Sequence, residues 1–289
     1  MNLNVIFLIQ ITVTIFFSIM ASIYDIKRNI IPDELNFALL FFGLISNLIL
    51  SLISANVKFI LASFISMIVT YFVTYLLWKL NMWGGGDVKL FTAIATVIPS
   101  GINIDFLNIF PKLSIYPFSF SIVINSILVS FPFLLVFLTH LVFKNRIFNR
   151  NIDFLVNIMN LRSLKYVIDS SLNRIMPVND LREGMIINDC YFNDEHIIDL
   201  INDVNGNLKV YRTVNNDEYS YYFKSQSAGG ITNRDMYLLK IMNSQQFISD
   251  SVSVKISFPF TPAILLGLLI AIFYGDLMML LVKNFYLVV

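Results

Sequence analysis

Long apolar segments separated by short polar ones dominate the chain and predict membrane helices. Six such segments run over 4–24, 35–54, 57–80, 88–98, 118–143 and 258–282. About 20 helical residues are needed to cross a hydrocarbon core about 30 Å thick. The fourth segment is too short for that. Either the fourth helix crosses only half of the membrane, or the glycine-rich residues before it lie below the membrane surface. We favour the second, because irregular backbone is tolerated at that depth beside a cavity.

Acidic residues set a second region apart. Of the 19 Asp and Glu residues, 13 lie between Asp153 and Asp250. This distribution divides the chain into 1–143 with five membrane helices, a polar domain at 144–257, and a sixth membrane helix in 258–289. The predicted fold class is therefore a polytopic α-helical membrane protein, with six transmembrane helices and an inserted small α+β cytoplasmic domain.

Local signals predict the elements of the inserted domain. Asn205-Gly206 is typical of a hairpin turn, and Thr232 with Asp235 three residues later is typical of a helix N-terminus. We predict a helix over 152–176, strands over 185–187 and 219–224, a helix from 232 to about 242, and a strand over 251–256.

Composition agrees with a membrane protein and excludes several classes. The chain is 57% hydrophobic and 13% charged, with a mean hydropathy of +0.73. A net charge of +1 gives no electrostatic reason to expect nucleic acid as a partner. One cysteine, Cys190, forms neither an internal disulfide nor a cysteine zinc site, and His140 and His196 stand alone. We therefore expect no metal site.

Basic residues predict the orientation in the cell membrane. With the amino terminus outside, the inner side would hold Lys27, Arg28, Lys79, Lys89, Lys144, Arg146 and Arg150. The outer side would hold Lys58, Lys112 and Lys283. Because cytoplasmic loops carry the excess of Lys and Arg, we expect the inserted domain to be cytoplasmic and both chain ends to lie outside.

Two carboxyl groups at membrane boundaries are the candidate chemistry. Asp25 ends the first apolar segment, and Asp87 opens the fourth, directly after three glycines. Acids at such positions are costly and are functional candidates by default. A nearby pair can share one proton, so that one group activates water and the other protonates a carbonyl oxygen. The helix dipole favours an ionised Asp87 and a protonated Asp25.

The residues around both acids resemble a known family. Trp-Gly-Gly-Gly-Asp-Val-Lys-Leu at 83–90 resembles the glycine-any-glycine-Asp motif of the type IV prepilin and preflagellin peptidases. The segment from Asp25 through Pro32 is similar to the first-acid region of that family, and 258–263 looks more loosely like its archaeal branch. The resemblance implies an aspartic endopeptidase with Asp25 and Asp87 as catalytic residues. The implied motif or positioning residues are Gly84, Gly85, Gly86, Lys89, Arg28 and Pro32.

The same resemblance implies a substrate and a place. We expect cleavage of a short basic leader from pilin-like or archaellin precursors at the cytoplasmic face of the lipid bilayer, without a cofactor. A basic leader has a possible docking site in Asp194, Glu195 and Asp199, although an ordinary solvated face is the favoured interpretation of these acids. An ion- or proton-coupled transporter that uses Asp25 and Asp87 is the alternative function. For Lys89, anchoring at the lipid headgroups is the favoured interpretation, and the alternative is a role beside an acid or a substrate carbonyl group.

Overall fold

The computed structural model describes residues 3–80, 83–101, 117–144, 173–213, 219–226, 230–255 and 258–287. In chain order its helices are α1 (Leu3–Arg28), α2 (Asp33–Ile53), α3 (Lys58–Lys79), α4 (Gly85–Val97), α5 (Phe118–Lys144), α6 (His196–Val204), α7 (Asn233–Ser244), α8 (Thr261–Phe273) and α9 (Leu277–Leu287). Its strands are β1 (Asn173–Pro177), β2 (Ile186–Ile187), β3 (Cys190–Phe192), β4 (Leu208–Arg212), β5 (Tyr221–Ser225) and β6 (Ser251–Lys255). Two compact units are present, Met1–Phe133 with Pro259–Val289, and Leu134–Phe258.

Apolar helices form the first unit. Within the described residues, four of them are long and apolar enough to cross a membrane: Leu3–Arg28, Asp33–Ile53, Lys58–Lys79 and Phe118–Phe137. These match the first, second, third and fifth predicted segments. The class of an α-helical membrane protein with a small β region is thus confirmed, while α4 and α8 are shorter, with 13 residues each.

Helix α4 is short, as predicted, but it begins inside the glycine run, three residues earlier than expected. Ten of its 13 residues are buried. It packs closely on α2, where a Cβ added to Gly43 would lie 2.8 Å from the backbone nitrogen of Val97. Only glycine permits this approach of two helix backbones.

Polar side chains complete the carboxyl end of α4, which stops inside the helix bundle. The last carbonyl groups of a helix have no partner within it. Asn47 Nδ2 donates to the carbonyl oxygens of Thr96 and Val97 at 3.0 and 3.1 Å, and Ser63 Oγ donates to Thr96 O at 2.6 Å. Because unpaired carbonyl groups are expensive in an apolar interior, these bonds allow a half-length helix to end there.

The prediction of one continuous sixth helix over 258–282 is wrong, because a break in the helix separates α8 from α9. Gly275 takes a left-handed conformation with φ 99°, which is typical of a helix C-terminus. Asn125 of α5 bridges the break: its Nδ2 donates to Gly275 O, and its Oδ1 accepts from Leu277 N, both at 2.9 Å. Asp276 lies in this break and is buried.

Two small antiparallel sheets make up the β structure of the second unit, with strand orders β1-β6-β2 and β3-β5-β4. Helices α6 and α7 belong to the same hydrophobic core, which includes Ile187, Ile197, Phe223 and Leu239. The predicted strands at 219–224 and 251–256 are confirmed as β5 and β6. The predicted helix at 232–242 is confirmed as α7, with reciprocal hydrogen bonds between Thr232 and Asp235 at its start.

Two predictions for this unit are wrong. Residues 173–176 belong to β1 and not to a helix, because they pair with β6 along its length; the earlier part of 152–176 lies outside the described residues. Asn205-Gly206 is not a hairpin turn. Asn205, with φ 49°, ends α6, a helix that the acidic composition of this stretch concealed.

Candidate active site

Asp25 lies in the last turn of α1, inside the helix and not after it as the sequence indicated. It shares the buried face of α1 with Ser18 and Ser22, at helical spacings of seven and three residues, and only 9% of it is exposed. Its Oδ2 accepts a hydrogen bond from the backbone amide of Thr261 at 2.9 Å. A residue far along the chain therefore supplies a partner for this acid.

Asp87 is the third residue of α4 and is also buried, with 8% exposed. Its Oδ2 accepts from the backbone amide of Gly84 at 3.1 Å, so its carboxyl group caps its own helix. A Cβ on Gly84 would lie 3.3 Å from Asp87 Oδ2, and one on Gly86 would lie 3.2 Å from the side chain of Ile31. Both glycines thus leave room where the chain approaches this acid closely.

Thr261, the first residue of α8, joins the two acids. Its amide donates to Asp25, and its hydroxyl group donates to Asp87 Oδ1 at 3.3 Å. The two carboxyl groups interact electrostatically, and Thr261 is fully buried. The sequence analysis missed this residue, although a Thr-Pro pair that opens an apolar segment is a signal of a helix start.

Each acid therefore meets an amide at the beginning of a helix, Asp87 in α4 and Asp25 in α8. The first amides of a helix have no partner within it and carry the positive end of the helix dipole. The expected division into an ionised Asp87 and a protonated Asp25 relied on the dipoles of their own helices, with Asp87 at the positive end of α4 and Asp25 at the negative end of α1. The Thr261 amide reduces the difference between the two acids, because it brings the positive end of the α8 dipole to Asp25 as well.

Stacked aromatic rings adjoin the segments that carry these amides. The ring of Trp83, next to Gly84, stacks on Phe91 of α4 at 5.0 Å between centroids and on Phe260, next to Thr261, at 5.2 Å. Trp83 is buried. Stacked rings of this kind add to the energy of burial and hold the start of α8 against the start of α4.

The other predicted motif residues lie around the acids in different roles. Lys89 Nζ forms an ion pair with Asp33 Oδ1 at 2.6 Å, and both side chains are about half exposed. The guanidinium group of Arg28 lies over the ring of Tyr24 at 5.6 Å. Pro32 is the residue directly before α2 and not part of its first turn. Gly85 opens α4, and its nearest neighbour for an added Cβ is Trp78 Nε1 at 3.7 Å.

The predicted docking acids, called the α6 acids here, are Asp194, Glu195 and Asp199. All three are exposed at the start of α6. Asp194 Oδ1 accepts from the amide of His196 at 2.9 Å, and Glu195 Oε1 accepts from the hydroxyl group of Tyr221 at 3.2 Å. Acids at a helix N-terminus stabilise the helix, so these contacts give two of the three a structural role.

The geometry at Asp25 and Asp87 supports hydrolysis by paired acids. Two buried carboxyl groups that are bound by the two donors of one residue can share a proton, with one acting as base toward water and the other as acid toward a carbonyl oxygen. Within the described part of the chain, no group of three or more His, Cys, Asp or Glu residues is arranged to hold a metal ion.

Comparisons with known proteins point to the same chemistry. Residues 12–142, which contain both acids, match the model of the type IV leader peptidase family. The chain is 24% identical to the prepilin peptidase EppA of Methanothermobacter thermautotrophicus over 99% of both chains. It is 37% identical to a preflagellin peptidase of Methanocaldococcus jannaschii over 28% of this chain and 34% of that protein. The match over residues 12–142 and the similarity to both relatives confirm the resemblance that the motifs indicated, and the chain is an aspartic peptidase.

Proposed function

We propose that this protein removes the short basic leader from type IV pilin-like or archaellin precursors, with Asp25 and Asp87 as its catalytic residues. The observation that carries the proposal is the joint contact of both acids with Thr261, since it unites segments far apart in sequence in one buried site. The substrate class follows from the two relatives, one named a prepilin peptidase and the other a preflagellin peptidase.

The reaction needs only the two acids and water. The ionised carboxylate takes a proton from water, whose oxygen attacks the scissile carbonyl carbon, while the protonated carboxyl group donates to the carbonyl oxygen. The first carboxyl group then gives the proton that it took from water to the amide nitrogen, which leaves as an amine. The second carboxyl group, now ionised, recovers a proton from a hydroxyl group of the tetrahedral intermediate as the new carboxylic acid forms. An asparagine in place of either aspartate cannot take up and release the proton that these steps require.

We place the site at the cytoplasmic face of the cell membrane. Asp25 lies in the last turn of α1 beside Lys27 and Arg28, and an excess of Lys and Arg marks the cytoplasmic side. The chain would pass the membrane six times, with α4 as a short passage and α8 and α9 together as the sixth. The inserted domain would then be cytoplasmic, and both chain ends would lie outside.

A cleavage assay tests the proposal. Membrane vesicles that contain the full chain are incubated with pilin-like and archaellin precursors, and the new amino termini are sequenced. Asp25→Asn and Asp87→Asn are each expected to lower turnover by more than about 1000-fold. Glu34→Gln, which changes an exposed acid at the start of α2, is the control and is expected to cleave normally.

Two results would contradict the proposal. If a correctly inserted Asp25→Asn or Asp87→Asn variant cleaved at a rate near that of Glu34→Gln, the substituted acid would not be a catalytic residue. If no new amino terminus formed in either the pilin-like or the archaellin precursors, the proposed substrate class would be wrong.

A further inference from the structure

The geometry points to Thr261 as a positioning residue of the peptidase, one that sets the spacing of the two catalytic carboxyl groups through its amide and its hydroxyl group. This inference rests on the proposed function, because it takes Asp25 and Asp87 as the catalytic pair. It adds a residue outside the part of the chain that matches the family model, which ends at residue 142.

Two donors on one residue make Thr261 suited to this role. Its amide is among the first of α8 and has no carbonyl partner within that helix, so donation to Asp25 at 2.9 Å costs no helical hydrogen bond. Its hydroxyl group reaches Asp87 at 3.3 Å. Because the Thr side chain is β-branched and stiff about its first torsion, the direction of the hydroxyl group follows from that of the backbone.

The start of α8 is itself held firmly. On one side, Phe260 stacks on Trp83, directly before the glycine run that leads to Asp87. On the other, α8 lies so close to α5 that a Cβ on Gly267 would come within 2.7 Å of the backbone nitrogen of Ser126. Thr261 therefore has little freedom to move relative to α4 and α5.

This arrangement matters for the rate and not for substrate affinity. A water molecule must lie against both carboxyl groups in the transition state, and a misplacement of about 1 Å costs on the order of 100-fold in rate. Loss of the hydroxyl group removes the hydrogen bond from Thr261 to Asp87 but leaves the hydrogen bond from the Thr261 backbone amide to Asp25 in place. Loss of the hydroxyl group should therefore reduce kcat selectively.

The test compares Thr261→Val, Thr261→Ser and Thr92→Val in the cleavage assay, with Asp25→Asn and Asp87→Asn in parallel. Thr92 is the matched control because its buried hydroxyl group donates to Val88 O in its own helix and not to an acid. We expect Thr261→Val to lower kcat about 10- to 100-fold with KM unchanged. Thr261→Ser keeps both donors but not the β-branched methyl group, and it should lose less kcat than Thr261→Val. Thr92→Val should remain within about twofold of the unaltered protein.

The outcomes separate this inference from the proposed function. Suppose that both Asn variants are inactive, so that the catalytic pair stands. Thr261 then has no positioning role if Thr261→Val keeps its kcat, if it changes only KM, or if Thr261→Ser loses as much kcat as Thr261→Val. If the Asn variants cleave normally, the proposed function fails first. Should Thr261→Val not accumulate in folded form, Thr261→Ala, which also lacks the hydroxyl group, carries the same comparison.

Discussion

The cap on the carboxyl end of α4 makes a quantitative prediction about stability. Asn47→Leu keeps the number of side-chain heavy atoms but removes the hydrogen bonds from Asn47 Nδ2 to Gly43 O, Thr96 O and Val97 O. Gly43 O still accepts from Ser46 and Thr96 O still accepts from Ser63, so Val97 O alone loses its side-chain donor. Side-chain hydrogen bonds between membrane helices contribute about 0.6 kcal/mol on average, and an orphaned buried carbonyl group costs about 1–3 kcal/mol. We expect the free energy of unfolding to fall by about 2 kcal/mol, mostly from the loss at Val97.

The assay is unfolding in detergent micelles, followed as a function of denaturant or temperature. Asn36→Leu is the matched control, an equally buried asparagine on α2 whose side chain makes no hydrogen bond within the described part of the chain. Because an unpaired buried amide is costly, its replacement should be neutral or stabilising. Equal losses in the two variants would show that the bonds to α4 contribute nothing and that both asparagines act only by packing.

Three further predictions follow from the site and the second unit. Gly86→Val should lower turnover more than Gly85→Val, since its Cβ would press on Ile31 at 3.2 Å whereas that of Gly85 has 3.7 Å of space; equal activities would contradict this. Burial raises the pKa of Cys190 to about 12, so alkylation at pH 8 should be at least about 100-fold slower in the folded chain than in denaturant, measured by mass spectrometry. Rapid labelling of the folded chain would show that this thiol is accessible. If the α6 acids dock a basic leader, neutralising all three should raise KM a few-fold and weaken its salt dependence, without changing kcat; an unchanged KM would reduce them to residues that stabilise α6.

Most of the membrane helices could be predicted because each long apolar segment carries its own signal. The second segment, predicted over 35–54, is α2 at Asp33–Ile53, within two residues at either end. The same signal misled at the sixth segment, since hydrophobicity continues across the break at Gly275. The bonds from Asn125 that stabilise this break come from another helix, and no local pattern reports them.

The two acids of the candidate site could be predicted from the sequence, but the residue that binds both of them could not. A carboxyl group in an apolar segment is conspicuous, and the glycines before Asp87 mark a close approach of backbone. Thr261 is an ordinary helix-start residue by sequence, and its importance appears only when α1, α4 and α8 are packed together. Helix α6 was missed although its buried residues Ile197 and Ile201 lie at a helical spacing, because the helix has only nine residues and acids lie among the apolar ones.

Short helices explain how the site can combine buried acids with free amide donors. A helix that spans the whole membrane has its unpaired amides at the surface, whereas α4 and α8 begin next to buried carboxyl groups. Asparagines from neighbouring helices complete the other ends: Asn47 donates to the last carbonyl groups of α4, and Asn125 donates to Gly275 O in the break after α8. These asparagines thus lower the free-energy cost of ending α4 and of interrupting the last apolar segment inside the bundle, and in this way they support the placement of the near ends at Asp25 and Asp87.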